Sequence, residues 1–199
     1  MISAKAQKVF TVQEYLDWEK SQDERFEFHD GMIVSMAGGT PPHALICENI
    51  FGNLYSLLKK TECRPRGTEQ KVHIEEFGNF SGNDYYPDIT IVCGKSQYNA
   101  WGCLLNPVLI GEVLSPSTHL FDRNDKFERY RTLPSLKTYL LIAQDTPRIE
   151  VFRRDLDGDW NLEPTEIIET LDGVLELRDL GVTLKMTDIY VDVFPRFNP

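Results

Sequence analysis

The stretch Tyr85-Tyr86-Pro87-Asp88-Ile89-Thr90-Ile91-Val92-Cys93, with Pro107-Val108-Leu109-Ile110-Gly111-Glu112-Val113-Leu114-Ser115-Pro116 after a loop, decides the fold. Each half is a short β-rich apolar run bounded by Pro, Gly or Asn, the pattern of a buried strand. Asp88 opens the first run and Glu112 closes the second. If the two strands are antiparallel neighbours, both carboxylates arrive at the same edge of the sheet. Two carboxylates about 4 Å apart repel by roughly 4 kcal/mol at an effective dielectric near 20. A site that holds them together therefore raises one pKa or binds a cation. Asp with Glu, and no His or Cys beside them in sequence, offers hard oxygen donors suited to Mg²⁺ or Mn²⁺. The spacing equally allows a plainer reading, with Asp88 capping a turn and Glu112 an ordinary strand-end acid.

The 199 residues are enough for one domain with a real core. No apolar run approaches the roughly 20 residues that span a bilayer. Residues Met1–Lys8 lack the apolar centre of a signal peptide, so a cytoplasmic chain without membrane contact is expected. Cys47, Cys63, Cys93 and Cys103 form no C-x-x-C pair. They read as buried free thiols in a reducing compartment, and their spacing offers no Cys/His cluster for zinc. A net charge of −10 argues against broad, nonspecific nucleic-acid binding. A local groove is still allowed, because Lys59–Lys71 carries Lys59, Lys60, Arg64, Arg66 and Lys71 against Glu62 and Glu69, a net of +3. That strip is either a phosphate track or a solvated helix end followed by an exposed strand.

Outward from the two acidic strands, the chain carries clear punctuation. Thr11-Val12-Gln13-Glu14 is a capping box that starts a helix through about Lys20. Asp30-Gly31 between Arg25–His29 and Met32–Met36 is the strongest kind of hairpin signal. Glu27 alternates with Phe26 and Phe28, so it faces either solvent or the site as a third carboxylate. Gly38-Gly39-Thr40-Pro41-Pro42 breaks the chain and caps a helix to about Lys60. Its stripe is Ile46, Ile50, Leu54, Leu57 and Leu58, and His43 lies in the first turn, either structural or aimed at a phosphate. Strands are expected near Glu62–Arg66 and Gln70–Glu75, then a Gly78–Asp84 loop. After Ser115-Pro116-Ser117-Thr118 a helix runs from about Asp122 to Leu133, with Asp122, Lys126 and Tyr130 at four-residue steps on one face. A strand at Lys137–Ala143 precedes a meander of Ile149–Arg153, Trp160–Glu163, Ile167–Ile168 and Val174–Leu177, closed by a short turn at Thr187–Tyr190.

This order of elements resembles the core of the PD-(D/E)XK nuclease superfamily. More closely, the chain resembles the Uma-type restriction endonuclease family across about Phe10 to Val193. The resemblance rests on Phe26-Glu27-x-x-Asp30-Gly31, His43, Tyr86-Pro87-Asp88, Gly111-Glu112-Val113-Leu114-Ser115-Pro116-Ser117-Thr118 and Asp122-x-x-x-Lys126-x-x-x-Tyr130. It implies an α/β fold, a restriction-endonuclease-like mixed β-sheet flanked by helices with a β-rich C-terminal extension. A single domain over 1–199 is expected, with its core at about 40–145, the helix and hairpin at 11–36 and the meander at 148–193. One position departs from the superfamily signature, which places Lys two residues after the second acid, where this chain has Leu114. The resemblance implies that the lysine has moved to the following helix as Lys126.

On this resemblance Asp88, Glu112 and the carbonyl of Val113 bind Mg²⁺ or Mn²⁺, and Lys126 orients the attacking hydroxide or steadies developing charge. Glu27 is a weaker catalytic candidate. His43, Lys59, Arg66 and Lys71 are candidates for substrate phosphates. The implied activity is metal-dependent hydrolysis of DNA phosphodiesters, and a homodimer suits it because one site cuts one strand. The competing reading is a catalytically silent nuclease fold that serves as a binding or assembly module, favoured by Leu114 and the acidic charge. A serine hydrolase at Ser115 or Ser117 fails, since there is no G-x-S-x-G turn and Pro116 interrupts the site.

Overall fold

The computed structural model describes residues 9–36, 39–76, 82–116 and 118–194. Helix α1 (Val12–Glu19) starts at the Thr11–Glu14 capping box, with both reciprocal bonds made. Strands β1 (Phe26–His29) and β2 (Met32–Ser35) form the expected hairpin. Its turn has φ of 45° at Asp30 and 85° at Gly31, the left-handed pair that a two-residue hairpin of right-handed strands requires. Helix α2 (Pro41–Leu58) starts at the Thr40 cap with proline in its first turn. Ile46, Cys47, Ile50, Leu54 and Leu58 face the core, whereas Leu57, expected in that stripe, is 46% exposed.

Strands β3 (Cys63–Arg66), β4 (Val72–Ile74) and β5 (Asn83–Tyr85) follow. The expected Gly78–Asp84 loop therefore ends earlier than its composition suggests, because Asn83 and Asp84 are strand residues paired to β1 and β4. Residues 78–81 of that loop, with Gly38 and Ser117, lie outside the described residues. The two acidic strands are β6 (Ile89–Cys93) and β7 (Leu109–Leu114). Helix α3 (119–130) joins β7 to β8 (Thr138–Ala143), and it carries a π-helical turn over Asp122–Lys126 between two short α segments. The chain continues as β9 (Ile149–Arg153), β10 (Glu166–Ile168), β11 (Val174–Leu177), β12 (Val182–Lys185) and helix α4 (Met186–Ile189). The stretch Trp160–Glu163, expected as a strand, contributes an isolated bridge between Arg154 and Trp160.

Among the described residues the strands form three sheets, ordered β2-β1-β5-β4, β10-β9-β8-β7-β6-β3 and β11-β12. In the six-stranded sheet β7 and β8 are parallel while the other neighbours are antiparallel, so the sheet is mixed. A parallel pair needs a crossover, which α3 supplies. Strands β9 and β10 extend this same sheet, and β11 with β12 packs beneath α2. Side-chain alternation divides the core. Leu109 and Val113 join Ile89, Ile91, Leu140 and Ile142 under α2, while Ile110 joins Val92, Tyr139, Leu141 and Phe152 under Phe127 and Tyr130 of α3. Glu112 has the parity of Ile110, so the pleat aims it at α3.

The thiols depart from expectation. Cys63 and Cys93 are disulfide-bonded, and Cys47 and Cys103 are free and buried. The reason is register: β3 pairs β6 antiparallel with Cys63 directly opposite Cys93. Sequence spacing cannot show a cross-strand pair whose partners lie 30 residues apart.

The outer end of α3 is pinned to the sheet by Arg123, whose two terminal nitrogens each donate to Glu150 on β9 at 2.6 Å, with Arg148 adding a third bond at 3.1 Å. Burial alone would raise the Glu150 pKa, but the two arginines outweigh it and hold the carboxyl below its ordinary value. A group depressed on folding stabilises fully above its unfolded pKa, about 4.3, and that share is lost as pH falls through the folded value. Glu150→Gln is thus expected to unfold at lower urea than the parent at pH 7, with a smaller gap at about pH 3. Urea titrations at both pH values check this, and an undiminished gap at low pH would show that packing rather than charge is responsible.

Candidate active site

The four residues Tyr85-Tyr86-Pro87-Asp88 carry the chain from the small sheet into the large one, since β5 ends at Tyr85 and β6 begins at Ile89. Ile89 lies opposite Gly111 in the antiparallel pair, so Asp88 arrives beside Glu112 as the spacing anticipates. Asp88 Oδ2 accepts the Val113 N–H at 2.8 Å, and the Asp88 N–H points at Glu112 Oε2 at 3.4 Å. A strand residue sends its N–H and C=O out on the same side. The Val113 carbonyl therefore leaves β7 on the side where the Asp88 carboxylate sits.

Lys126 lies at the centre of a buried carboxylate group. Its Nζ is 3.0 Å from Glu27 Oε1, 3.4 Å from Glu112 Oε1 and 3.4 Å from Asp122 Oδ1. Glu27 is 6% exposed and so points inward, and its Oε1 also accepts the Tyr86 N–H at 3.0 Å. The Tyr130 hydroxyl donates to Glu112 Oε1 at 2.9 Å, which leaves Oε2 turned toward Asp88. The four-residue steps from Asp122 to Lys126 to Tyr130 thus do place three side chains on one docked face. Within this π turn the Asp122 carbonyl accepts the Tyr139 hydroxyl at 2.8 Å. Such turns occur frequently at functional sites.

The electrostatics follow from burial. Desolvation pushes the Glu112 carboxyl well above its ordinary range, with Asp122, Asp88 and Glu27 adding to it and Lys126 opposing. Burial likewise raises Asp122. Burial would lower Lys126, but Glu112, Glu27 and Asp122 together hold its proton well above the usual lysine range. Three carboxylates, from Glu27, Glu112 and Asp122, gather around one ammonium, and Asp88 adds a fourth beside Glu112. That surplus of hard negative oxygens is what a divalent cation neutralises, so Asp88, Glu112 and the Val113 carbonyl fit Mg²⁺ or Mn²⁺.

Helix α2 brings His43 to the same oxygen of Asp88 that accepts the Val113 N–H, with Nε2 3.1 Å from Asp88 Oδ2. Burial would depress that imidazole, but the bond and charge of Asp88 raise its pKa. Cys47 follows one turn later with Sγ 3.7 Å from His43 Nδ1. Ligand atoms of His43, Cys47 and Asp88 all lie within 4.8 Å of one another. The expectation that the cysteine spacing offers no Cys/His cluster is thus corrected. The overlooked signal is His43 and Cys47 at the four-residue step that shares a helix face.

The basic strip does not converge on the carboxylates. Lys71 is 8% exposed, bonded to Glu19 and set against the rings of Tyr15 and Tyr86. Arg64 donates to the carbonyls of Leu58, Thr61 and Cys63 and so caps the end of α2. Arg66 lies opposite Thr90, near the Asp88 end of β6, with Nη2 bonded to Ser96 at 2.6 Å. Lys59 is exposed beyond the far end of α2, about 24 Å along the axis from His43.

The mixed sheet, the helices on both its faces and the clustered acids define a restriction-endonuclease-like α/β domain. Comparison with known proteins agrees. The Uma2 family model, described as "Putative restriction endonuclease", matches residues 12–187, and the chain belongs to that family. Two uncharacterized proteins of Synechocystis sp. are similar along most of their length. With slr1290 the chain shares 30% identity over 89% of its own residues and 90% of the relative, and with sll1609 it shares 32% over 78% and 86%. A solved structure from Anabaena variabilis, described as "a putative nuclease belonging to DUF820", superposes with a TM-score of 0.73 at 15% identity. That match covers 93% of this chain and 99% of the other, which shows a shared fold.

Removing the central ammonium tests the charge arrangement apart from any activity. Lys126→Met leaves Glu27, Glu112 and Asp122 facing one another, and breaking a buried pair in this way costs about 3–5 kcal/mol. Glu112 and Asp122, already raised by burial, lose the charge that opposed that rise, so protonation favours the folded form and the loss shrinks as pH falls. Urea unfolding at pH 7 and pH 5 is expected to show a large deficit and then a smaller one. Unchanged stability at pH 7 would mean that the acids do not depend on Lys126.

Proposed function

We propose that the protein is a Mg²⁺- or Mn²⁺-dependent endonuclease that hydrolyses DNA phosphodiesters at the edge formed by Asp88 and Glu112. The observation that carries this reading is the register of β6 on β7, with Ile89 opposite Gly111, which sets two carboxylates and the Val113 carbonyl side of the strand around one point. Asp88, Glu112 and the Val113 carbonyl would hold the cation. Bound there, it supplies a Lewis acid for the phosphodiester and a water of lowered pKa. Tyr130 fixes the rotamer of Glu112 through its hydroxyl. Lys126 keeps its proton, and so serves as a fixed positive donor toward the attacking oxygen and the developing phosphorane charge rather than as a base. Glu27 holds Lys126 in place through its Oε1. His43, in the first turn of α2, is positioned for a phosphate oxygen next to Asp88.

Of the basic strip, Arg66 lies nearest this edge and Lys59 is open to solvent, so these two are the strip's candidates for flanking phosphates, whereas Lys71 supports the wall through Glu19. A second copy of the chain would supply the cut on the other strand.

Incubation of plasmid with the purified protein in Mn²⁺ at low salt is expected to give nicked and linear products. Asp88→Asn and Glu112→Gln should each reduce the rate by at least about 10²-fold while the circular dichroism spectrum holds. Lys126→Ala should lose cleavage as severely yet still bind Mn²⁺ in calorimetry, because lysine is not a metal ligand. A chain that binds Mn²⁺ but never nicks DNA or single strands would instead be a silent nuclease fold. Full cleavage in Lys126→Ala would overturn the role given to the helix lysine.

A further inference from the structure

The trio His43, Cys47 and Asp88 has a chemistry that the Asp88–Glu112 edge lacks. Imidazole, thiol and carboxylate form the mixed donor set of zinc-class ions, whereas Mg²⁺ takes oxygen alone. Two of the donors come from one rigid element, since His43 and Cys47 are one turn apart on the same face of an 18-residue helix. The third comes from the strand edge, and all three ligand atoms lie within 4.8 Å of each other. Ligands held at about 2.0–2.3 Å by a tetrahedral ion stand roughly 3.3–3.8 Å apart, so donor atoms now within 4.8 Å of one another, with one imidazole nitrogen serving, must close in by up to about 1 Å. The pocket is nearly closed but not sealed. Cys47 is 9% exposed, and the side chains of His43 and Asp88 retain 19% and 17%. Gly39 adds a second observation, because a Cβ there would stand 2.9 Å from His43 Nδ1. A side chain at Gly39 would therefore press on the nitrogen that faces Cys47.

We propose that His43, Cys47 and Asp88 form a second cation position, selective for a borderline-soft divalent ion of the zinc class, with Asp88 shared between it and the oxygen-lined edge. Three protein ligands leave a fourth place for water, the open arrangement of zinc sites that act on substrate rather than merely hold a fold. Because Asp88 belongs to both positions, a zinc-class ion either bridges to a hard cation or competes with it for that carboxylate. The proposal does not require the nuclease reading, since it concerns binding.

Cobalt(II) reports such a site directly, because a thiolate ligand gives a charge-transfer band in the near ultraviolet that oxygen and nitrogen ligands do not. Full-length protein, stripped by chelator with its Cys63–Cys93 bond intact, is titrated with Co²⁺ and then with Zn²⁺. The expected result is a thiolate band that saturates at one equivalent and disappears as Zn²⁺ displaces the cobalt. Cys47→Ser and Cys47→Val should abolish the band. His43→Gln should weaken Zn²⁺ binding by no less than the roughly tenfold that loss of an outer-shell partner costs. Gly39→Ala should weaken it too, with the melting temperature held. Cys103→Ser and Glu112→Gln should keep the band, which separates this position from the other free thiol and from the oxygen-lined edge. A band that survives both Cys47 variants, or no band at one equivalent in the parent protein, overturns the proposal. Absence of DNA cleavage under every condition bears on the nuclease reading and leaves this result standing.

Discussion

One buried ammonium joins three parts of this molecule. Lys126 stands on α3, Glu27 on β1 and Glu112 on β7, so the contact ties the N-terminal hairpin layer, the central sheet and the crossover helix at one point. An isolated charge in such a place costs several kcal/mol of desolvation, which only close opposite charges offset. The surrounding structure is arranged to provide them. The pleat aims Glu112 at α3, the hairpin turns Glu27 inward, and Asp122 lies one turn away on the same helix face. Tyr130 and Tyr139 satisfy the remaining acceptors at Glu112 and at the Asp122 carbonyl.

The arrangement is also overcharged, and that excess links stability to function. Glu112 and Asp122 are raised by burial even with Lys126 beside them, so one ammonium does not balance the group. A protein of net charge −10 gains nothing in general affinity for a polyanion from this. The surplus has a purpose only if a cation neutralises it and in turn attracts a phosphate. The same acids that repel one another at this edge would then give it, through such a cation, affinity for a phosphate. Such a trade is common where activity needs a strained or charged site.

The sequence revealed the elements whose signals are local. The Thr11–Glu14 box, the Asp30-Gly31 turn and the Thr40-Pro41 start each carry their own short-range chemistry, and each stands where it was read. The Asp88 and Glu112 strands were legible because their apolar runs are short and sharply bounded. Relationships made only by pairing were not legible. The Cys63–Cys93 bond depends on a β3–β6 register, β5 is a three-residue strand inside loop-like composition, and β12 was missed altogether. The basic strip is only partly legible for a related reason. Charge counts along a chain do not show that Arg64 is spent on helix carbonyls or that Lys71 is bonded to Glu19.

The lysine's place on a helix has a geometric consequence that a strand lysine could not match. Leu114 has the same parity as Glu112 but lies two residues, or about 6.6 Å, further along β7, where it packs at the margin of the cluster under α3. An ammonium there would start from the sheet itself. From α3 the side chain instead descends onto the sheet and meets Glu27 and Glu112 together, with the Tyr85 and Phe121 rings 5.4 and 5.8 Å from Nζ. A cation placed on the helix thus draws the β1 hairpin into the cluster through Glu27. It also makes the crossover between β7 and β8 answerable to the site's charge, because α3 cannot shift without exposing three acids to one another.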